Sequence, residues 1–444
     1  MVLDDLSVTM EARDITLVAG RTGQGKSTFL YLAAGLYPHY AGVLKRGSIT
    51  VDNEDLSQVD PSQRCRIASM MFQNPDLQFC MDTVRNEMVF CLENIRQDVS
   101  NFEKRIDEAL SFCNIQHLRE RKLITLSGGE KQKVALACIW LLHPRWLLLD
   151  EPFASIDQAS RTFLIDRLAQ MHAEYGTGIV TVDHHPENWR GVANAYYQLD
   201  HGKLERKSFE DIMPAALSAQ RTAGTCMSEE ISLEMKDVSI WHDNPSHPVL
   251  KNINLSFRQG GSYAILGESG SGKSTLFGAV FGLYPYSGTI CLRQSDLKKR
   301  RRHLRGEIGI ITQNPQDQFI GGTVSNEISA AFVGEKGADE KTETILKSIG
   351  LWKYRDVSPY LLSQGQQRRL GAAAMMNSHC QLLLCDEPTC AQDAQSAEII
   401  MTNLLHQARE RNITIVFSTH EQDIATTFAD EIWIIRGQTL VRVK

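Results

Sequence analysis

Gly20-Arg21-Thr22-Gly23-Gln24-Gly25-Lys26-Ser27-Thr28 and Gly267-Glu268-Ser269-Gly270-Ser271-Gly272-Lys273-Ser274-Thr275 are two copies of one pattern, 247 positions apart. Each fits G-x-x-x-x-G-K-[ST], a glycine-rich loop whose backbone N–H groups cradle phosphates at the positive end of the next helix. The first loop follows a short apolar strand, Ile15–Ala19, and opens a helix over Ser27 to Leu36. That context is what the motif requires. Lys26 and Lys273 are placed to reach β- and γ-phosphates, and Ser27 and Ser274 to ligate Mg2+.

The repetition extends far beyond the loops. Val2-Leu3 to Gly20 aligns with Val249-Leu250 to Gly267 without a gap, and Gly35-Leu36-Tyr37-Pro38 recurs as Gly282-Leu283-Tyr284-Pro285. Gln73-Asn74-Pro75 recurs as Gln313-Asn314-Pro315, each with a glutamate 14 residues after its glutamine, Glu87 and Glu327. Leu126-Ser127-Gly128-Gly129-Glu130 recurs as Leu362-Ser363-Gln364-Gly365-Gln366. The steps from Ser127 to Glu151 and from Ser363 to Glu387 are both 24, and those from Glu151 to His184 and from Glu387 to His420 are both 33. This is a repeat of a whole domain rather than of a short solenoid unit.

The chain of 444 residues therefore reads as two α/β domains, 1–206 and 231–444, joined by a linker over 207–230. Strands and helices alternate in each, which predicts a largely parallel sheet covered by helices. Trp146–Leu149 and Leu382–Cys385 read as buried strands ending at paired acids, and Gly178–Val182 and Ile413–Phe417 as the strands after them. Segments 84–125 and 324–362 have helical periodicity and predict a helical subdomain inserted in each copy. Ile231 to Trp241 opens the second copy as an alternating strand; Met1 aligns with Pro248, so the first copy lacks its counterpart.

A net charge of −6 argues against coating nucleic acid. The ten cysteines form no C-x-x-C pair and read as small apolar side chains in a reducing compartment. No signal segment is present, and the longest apolar run, Val134 to Leu142, is too short to span a membrane. The chain reads as one that does not itself cross a bilayer. Lys298 to Arg302 with Arg305 is a basic run that reads as a solvated helix face, with contact to anionic lipid headgroups as the alternative.

The acids complete the chemistry. Asp150 and Asp386 end apolar strands on the edge of the phosphate loop, where an acid holds a Mg2+ shell. Glu151 and Glu387 are placed to orient or deprotonate an attacking water. His184 and His420, at matched spacing, are read as γ-phosphate contacts that support the transition state.

Together these motifs resemble the ABC ATPases over nearly the whole chain. The resemblance implies two P-loop NTPase domains, each with an antiparallel β edge, that pair head to tail around ATP and Mg2+. Ser127, Gly128 and Gly129, matching the family signature, would complete the site around Lys273; Ser363, Gln364 and Gly365 would complete the site around Lys26. Gln73 and Gln313 match the Q-loop glutamine, a Mg2+ contact that also senses a transport partner. Asp157 and Asp393 match the D-loop.

Gln73 to Glu87 and Gln313 to Glu327 look like the energy-coupling factor branch, whose ATPases drive vitamin and trace-metal importers. This implies a peripheral protein on the cytoplasmic face of the membrane, with a transmembrane subunit and a substrate-binding membrane component as partners. Two departures stand out. Gln364 replaces a signature glycine, and the aromatic that stacks on adenine has no counterpart near Lys26, whereas Trp241, with His242 as its rival, occupies that region near Lys273. The alternative is a translation-associated ABC-F protein, which would carry a long charged linker that is not seen here.

Overall fold

The computed structural model describes residues 2–21, 24–38, 43–153, 156, 158–213, 228–268, 270–300, 306–334, 337–362, 364–376, 379–389, 392 and 394–444, without the side chains of 158, 159, 300, 364 and 395. Thr22, Gly23, Asp157, Ser269, Ser363, Asp393 and Arg302 with Arg305 lie outside the described residues, as does most of the expected linker. The chain divides into two compact units, whose principal segments are Met1–Ala215 and Ala216–Cys390 with Ala394–Lys444.

The first unit is built on six strands: β1 (Ile15–Ala19), β2 (Ala68–Met71), β3 (Trp146–Asp150), β4 (Gly178–Val182), β5 (Ala195–Asp200) and β6 (Lys203–Arg206). Their spatial order is β2-β3-β4-β1-β5-β6. All neighbours pair parallel except β5 and β6, which form the antiparallel edge. β1 and β4 are buried at every position, as expected of strands covered on both faces. Helix α1 (Lys26–Ala33) follows the loop and α2 (Pro61–Ile67) leads into β2. Helices α3 (Val84–Asn94), α4 (Phe102–Phe112) and α5 (Gly128–Leu142) form the inserted subdomain, and α6 (Gln158–Tyr175) returns to β4. Inside the expected linker, α7 (Phe209–Ile212) starts at a Ser208–Asp211 capping box and buries Phe209 and Ile212 in this unit's core.

The second unit repeats the plan and adds to it. Strands β7 (Ile231–Ile240), β8 (Leu250–Arg258), β10 (Tyr286–Leu292) and β11 (Ser295–Asp296) form an antiparallel sheet in the order β11-β10-β7-β8, with β9 (Ser262–Leu266) between β8 and β10 in sequence. The main sheet runs β12-β13-β14-β9-β15-β16, where β12 is Ile308–Ile311, β13 Leu382–Cys385, β14 Thr414–Thr419, β15 Glu431–Arg436 and β16 Thr439–Arg442. Helix α8 (Lys273–Phe281) follows the loop and α9 (Leu297–Arg300) follows β11. Helices α10 (Val324–Ser329), α11 (Ala338–Ser348) and α12 (Gln364–Met375) are inserted before β13; α13 (Ala394–Glu410) and α14 (Gln422–Phe428) flank β14. In the first unit, residues 2–14 and 43–55 contain no named strand among the described residues, only the bridge between Val51 and Glu54.

The gapless alignment upstream of the loops is visible in space. A Cβ on Gly25 would lie 2.6 Å from Val2 Cγ1, and one on Gly272 would lie 3.0 Å from Val249 Cγ1. Asp4 N–H donates to the Gly202 carbonyl as Lys251 N–H donates to the Gln438 carbonyl. No helix is long and apolar enough to cross a membrane among the described residues.

Candidate functional site

Both loops turn into their helices through a glycine in the left-handed region, Gly25 at φ 96° and Gly272 at φ 105°. Only glycine adopts this conformation without strain, and the valine packed against each would have to give way to a Cβ. Replacing Gly272 by alanine should cost about 1–2 kcal/mol in the cradle's backbone and weaken ATP binding roughly tenfold by calorimetric titration. Unchanged affinity would show that the cradle does not hold the phosphates.

Lys26 Nζ donates to the carbonyls of Gly20 (2.8 Å) and Arg21 (3.1 Å). Lys273 Nζ donates to those of Gly267 (2.8 Å) and Glu268 (2.9 Å). Each ammonium is thus curled over its own loop, at the place where it would meet phosphate oxygens. Gln24 caps the neighbouring β5–β6 turn by accepting from His201 N–H. Arg21 is exposed and Thr28 half-buried on α1.

Parallel pairing of β3 with β4 puts Asp150 level with Val182 and sets the acids beside the histidine turn. Ser27 Oγ donates to Asp150 Oδ1 at 3.0 Å. In the second unit Ser418 Oγ donates to Asp386 at 2.6 Å, and Ser274 also bonds that carboxylate. Burial, with the Glu151 charge behind it, pushes Asp150 up to about 6 against the opposing Ser27 bond. Burial likewise raises Asp386. A hydroxyl and one carboxylate are hard oxygen donors that suit Mg2+ completed by phosphate and water. Among the described residues no cluster of three or more His, Cys, Asp or Glu could hold a metal unaided.

The two glutamates differ. Both sit at φ 46°, a strained conformation for a non-glycine residue. Glu151 has its carboxylate between His184 Nε2 (2.6 Å, an ion-pair distance without hydrogen-bond angles) and Gln73 Nε2 (2.6 Å). Gln73, expected at the metal, donates its side-chain N–H to the glutamate. Glu387 lies 3.1 Å from Lys273 Nζ and 3.5 Å from His420 Nδ1. Burial acts to raise Glu387, but the His420 bond and the Lys273 charge outweigh it and hold it at about 2.

The signature elements begin helices. Ser127 caps α5 in a reciprocal box with Glu130, and Gly128 and Gly129 form its first turn. Gln364 starts α12, followed by Gly365, while Ser363 lies outside the described residues.

Two contributors, Gln132 and Arg368, were not singled out from sequence, and a third, His242, was named only as the rival to Trp241. Gln132 on α5 donates to the Gln73 carbonyl at 3.3 Å. Arg368, its match on α12, donates to the carbonyls of Glu387 (3.3 Å) and Pro388. His242 is the ring found against the loop helix. Its Nε2 lies 3.1 Å from Thr275 Oγ1 and its ring packs on Tyr284, centroids 4.7 Å apart. Trp241, the residue expected in this region, is the first past β7, which ends at Ile240. A cavity of about 960 Å³ opens beside this loop, lined by Pro248, Val249, Gly267, Glu268, Gly270 and Ser271 among others.

The family model described as ABC transporter matches residues 3–154 and 250–390, once in each unit. This chain belongs to the ABC transporter family. It is a tandem ABC ATP-binding protein and an ATPase, and ABC ATPases work on ATP with Mg2+. A protein of Bacillus subtilis (strain 168), provisionally named the HMP/thiamine import ATP-binding protein YkoD, is 28% identical over 484 residues, covering 99% of this chain and 87% of its own. A provisionally named ABC transporter ATP-binding protein of Saccharolobus solfataricus is 28% identical over 479 residues, covering 99% and 90%. Among solved structures, one described as RNase-L Inhibitor superposes with a TM-score of 0.62 at 18% identity, covering 99% of this chain and 87% of that one. At that identity it shows the shared ABC fold alone.

Proposed function

We propose that this ABC protein is the ATP-hydrolysing subunit of a membrane importer of the energy-coupling factor type. It acts on the cytoplasmic face of the membrane with a transmembrane subunit and a substrate-binding membrane component, and its solute is a vitamin or a trace metal. The observation that carries this reading is a matched pair of braced turns, one after each Q-loop glutamine, each with an exposed apolar side chain, although at different positions in the two copies.

Leu77 is 74% exposed in the first turn and Ile320 is 82% exposed in the second. In each turn a buried glutamate accepts two consecutive backbone N–H groups, starting three residues past Leu77 in the first copy and at Ile320 itself in the second. Glu87 takes Cys80 and Met81 at 2.8 Å each, and Glu327 takes Ile320 (2.9 Å) and Gly321 (2.6 Å). A turn fixed in this way presents its apolar side chain at little entropic cost, which suits a partner that covers it. Exposed Ile124 follows the segment bonded to the first turn, and exposed Tyr360 packs edge-on to Phe319 in the second. The similarity to a protein named for import supports the same reading.

In this account the units pair head to tail. Ser127, Gly128 and Gly129 complete the site of Lys273, and Ser363, Gln364 and Gly365 that of Lys26. Bound Mg2+ would offset phosphate charge, held by Ser27 with Asp150 and by Ser274 with Asp386. Glu151 and Glu387 orient the water and accept its proton; His184 and His420 steady the γ-phosphate. Gln73 joins the first turn to Glu151, so a push at Leu77 reaches the water-orienting carboxylate.

Asp substitutions at Leu77 and Ile320 test this. Each should leave stability within about 0.5 kcal/mol, as exposed sites do, and leave basal ATP hydrolysis intact while the complex with the membrane subunit is lost. Retention of that complex by the double variant would contradict the reading. Phe319 is only 7% exposed within the helical subdomain's core. An Asp there should instead cost at least about 3–5 kcal/mol in denaturant unfolding.

A further inference from the structure

The first unit surrounds its catalytic pair with a frame that the second unit lacks. Asp183, just before His184, is buried. Its Oδ1 accepts the His185 N–H at 2.9 Å, and its Oδ2 accepts the Trp189 indole N–H at 2.8 Å. Trp189 is fully buried and stacks on Phe153, with ring centroids 5.6 Å apart and planes 28° off parallel. Phe153 lies two residues past Glu151. The contacts therefore close a circuit from Glu151 through Phe153, Trp189 and Asp183 to His184, whose two ends meet 2.6 Å apart. Buried Arg161 on α6 steadies the base of the same loop, reaching the Ile156 carbonyl and Asn188 Oδ1 at 3.4 Å each.

At matched positions the second unit has Thr419, Ala425, Thr389, Ala397 and Ile424. Thr419 keeps only the backbone cap, accepting from Glu421 N–H at 3.0 Å. His420 stands 3.5 Å from Glu387, and Glu387 leans on Lys273. The fold thus closes at this place without a buried acid. Burying a carboxylate costs several kcal/mol of desolvation, and replacing such groups by apolar ones is often neutral or stabilising. Stability alone gives no reason for Asp183.

We infer that Asp183 and Trp189 are positioning residues that hold His184 against Glu151, so that the first unit keeps its catalytic pair preformed and the second does not. This rests on the roles given to Glu151 and His184, of which the double glutamate substitution tests that of Glu151 separately.

Asp183→Asn offers one acceptor where two N–H donors point, so one bond is lost whichever way the amide turns. Trp189→Phe removes the indole bond and keeps an aromatic ring against Phe153. In the full chain each variant should lower kcat at saturating ATP, by up to about twofold if the sites fire independently, since one site is half of two, and by about tenfold if they fire in concert, with KM for ATP unchanged. Amide exchange over residues 183–189 should quicken about tenfold, as loss of one hydrogen bond allows, while residues 419–425 keep their rate. The double variant should be no slower than either single one. A folded variant with kcat within about 20% of the parent overturns the inference, whatever exchange shows, and so do additive losses in the double variant. If Asp183→Asn does not fold, Trp189→Phe decides alone.

Discussion

Replacing Glu151 and Glu387 together by glutamine should leave ATP binding intact and cut phosphate release at least ~100-fold, the lower range for a positioned proton acceptor. Glutamine keeps the shape of the side chain and its contacts with Gln73 and Lys273 but cannot take a proton at neutral pH. Both carboxylates are mostly buried beside a histidine, with side-chain exposures of 13% and 12%. No bulk water can therefore easily stand in for them. Nucleotide titration and a phosphate-release assay on the same preparation separate the two effects. Parent-like release from the double variant would remove both glutamates from the chemistry.

The second large effect falls on Lys273. Its ammonium and the Glu387 carboxylate are buried together, and breaking such a pair by removing one partner leaves a charge uncompensated at about 3–5 kcal/mol. His420 remains beside Glu387, so Lys273→Ala should lose about 3 kcal/mol in denaturant unfolding without nucleotide. Glu387 sits at about 2 against an ordinary value of 4.5. A depressed carboxylate stabilises the fold fully above its unfolded value and loses that contribution as pH falls through its folded value. The deficit of Lys273→Ala should therefore be equal at about pH 7 and pH 5.5, and should shrink at about pH 3.5. A deficit that grows on acidification would show that Glu387 is not the carboxylate the lysine holds down.

Much of this was legible in the chain because the repeat acts as its own control. Matched steps from Lys26 and Lys273 to the acids and histidines fixed the order of strands and loops, since each motif sits at a strand end where only its own spacing fits. The alternation in Ile231 to Trp241 marked the opening strand of the second unit, while the antiparallel sheet it joins was implied by the family resemblance. Other features depend on which way a side chain leaves the backbone at an irregular position, and no period reports that. His242 meets the loop helix from just past the end of its strand, where no alternation continues. Phe79 and Phe319 look like their neighbours Leu77 and Ile320 in sequence, yet Phe319 is core and Ile320 is tip. The frame of Asp183, Trp189 and Phe153 joins residues from two separate loops, which is a tertiary fact. A comparison of the copies would have flagged it, since Trp189 against Ala425 and Phe153 against Thr389 are large changes at otherwise matched places. The same comparison pairs Gln132 with Arg368.

The claim that this ATPase drives a membrane importer is tested most directly by isolating the tagged native chain from detergent-solubilised membranes and from ribosomes of the same cells. The account predicts recovery with an integral membrane protein, and loss of that protein when Leu77 and Ile320 both carry aspartate. Recovery on ribosomes, with no membrane protein attached, would contradict it and place the chain among the translation-associated ABC proteins.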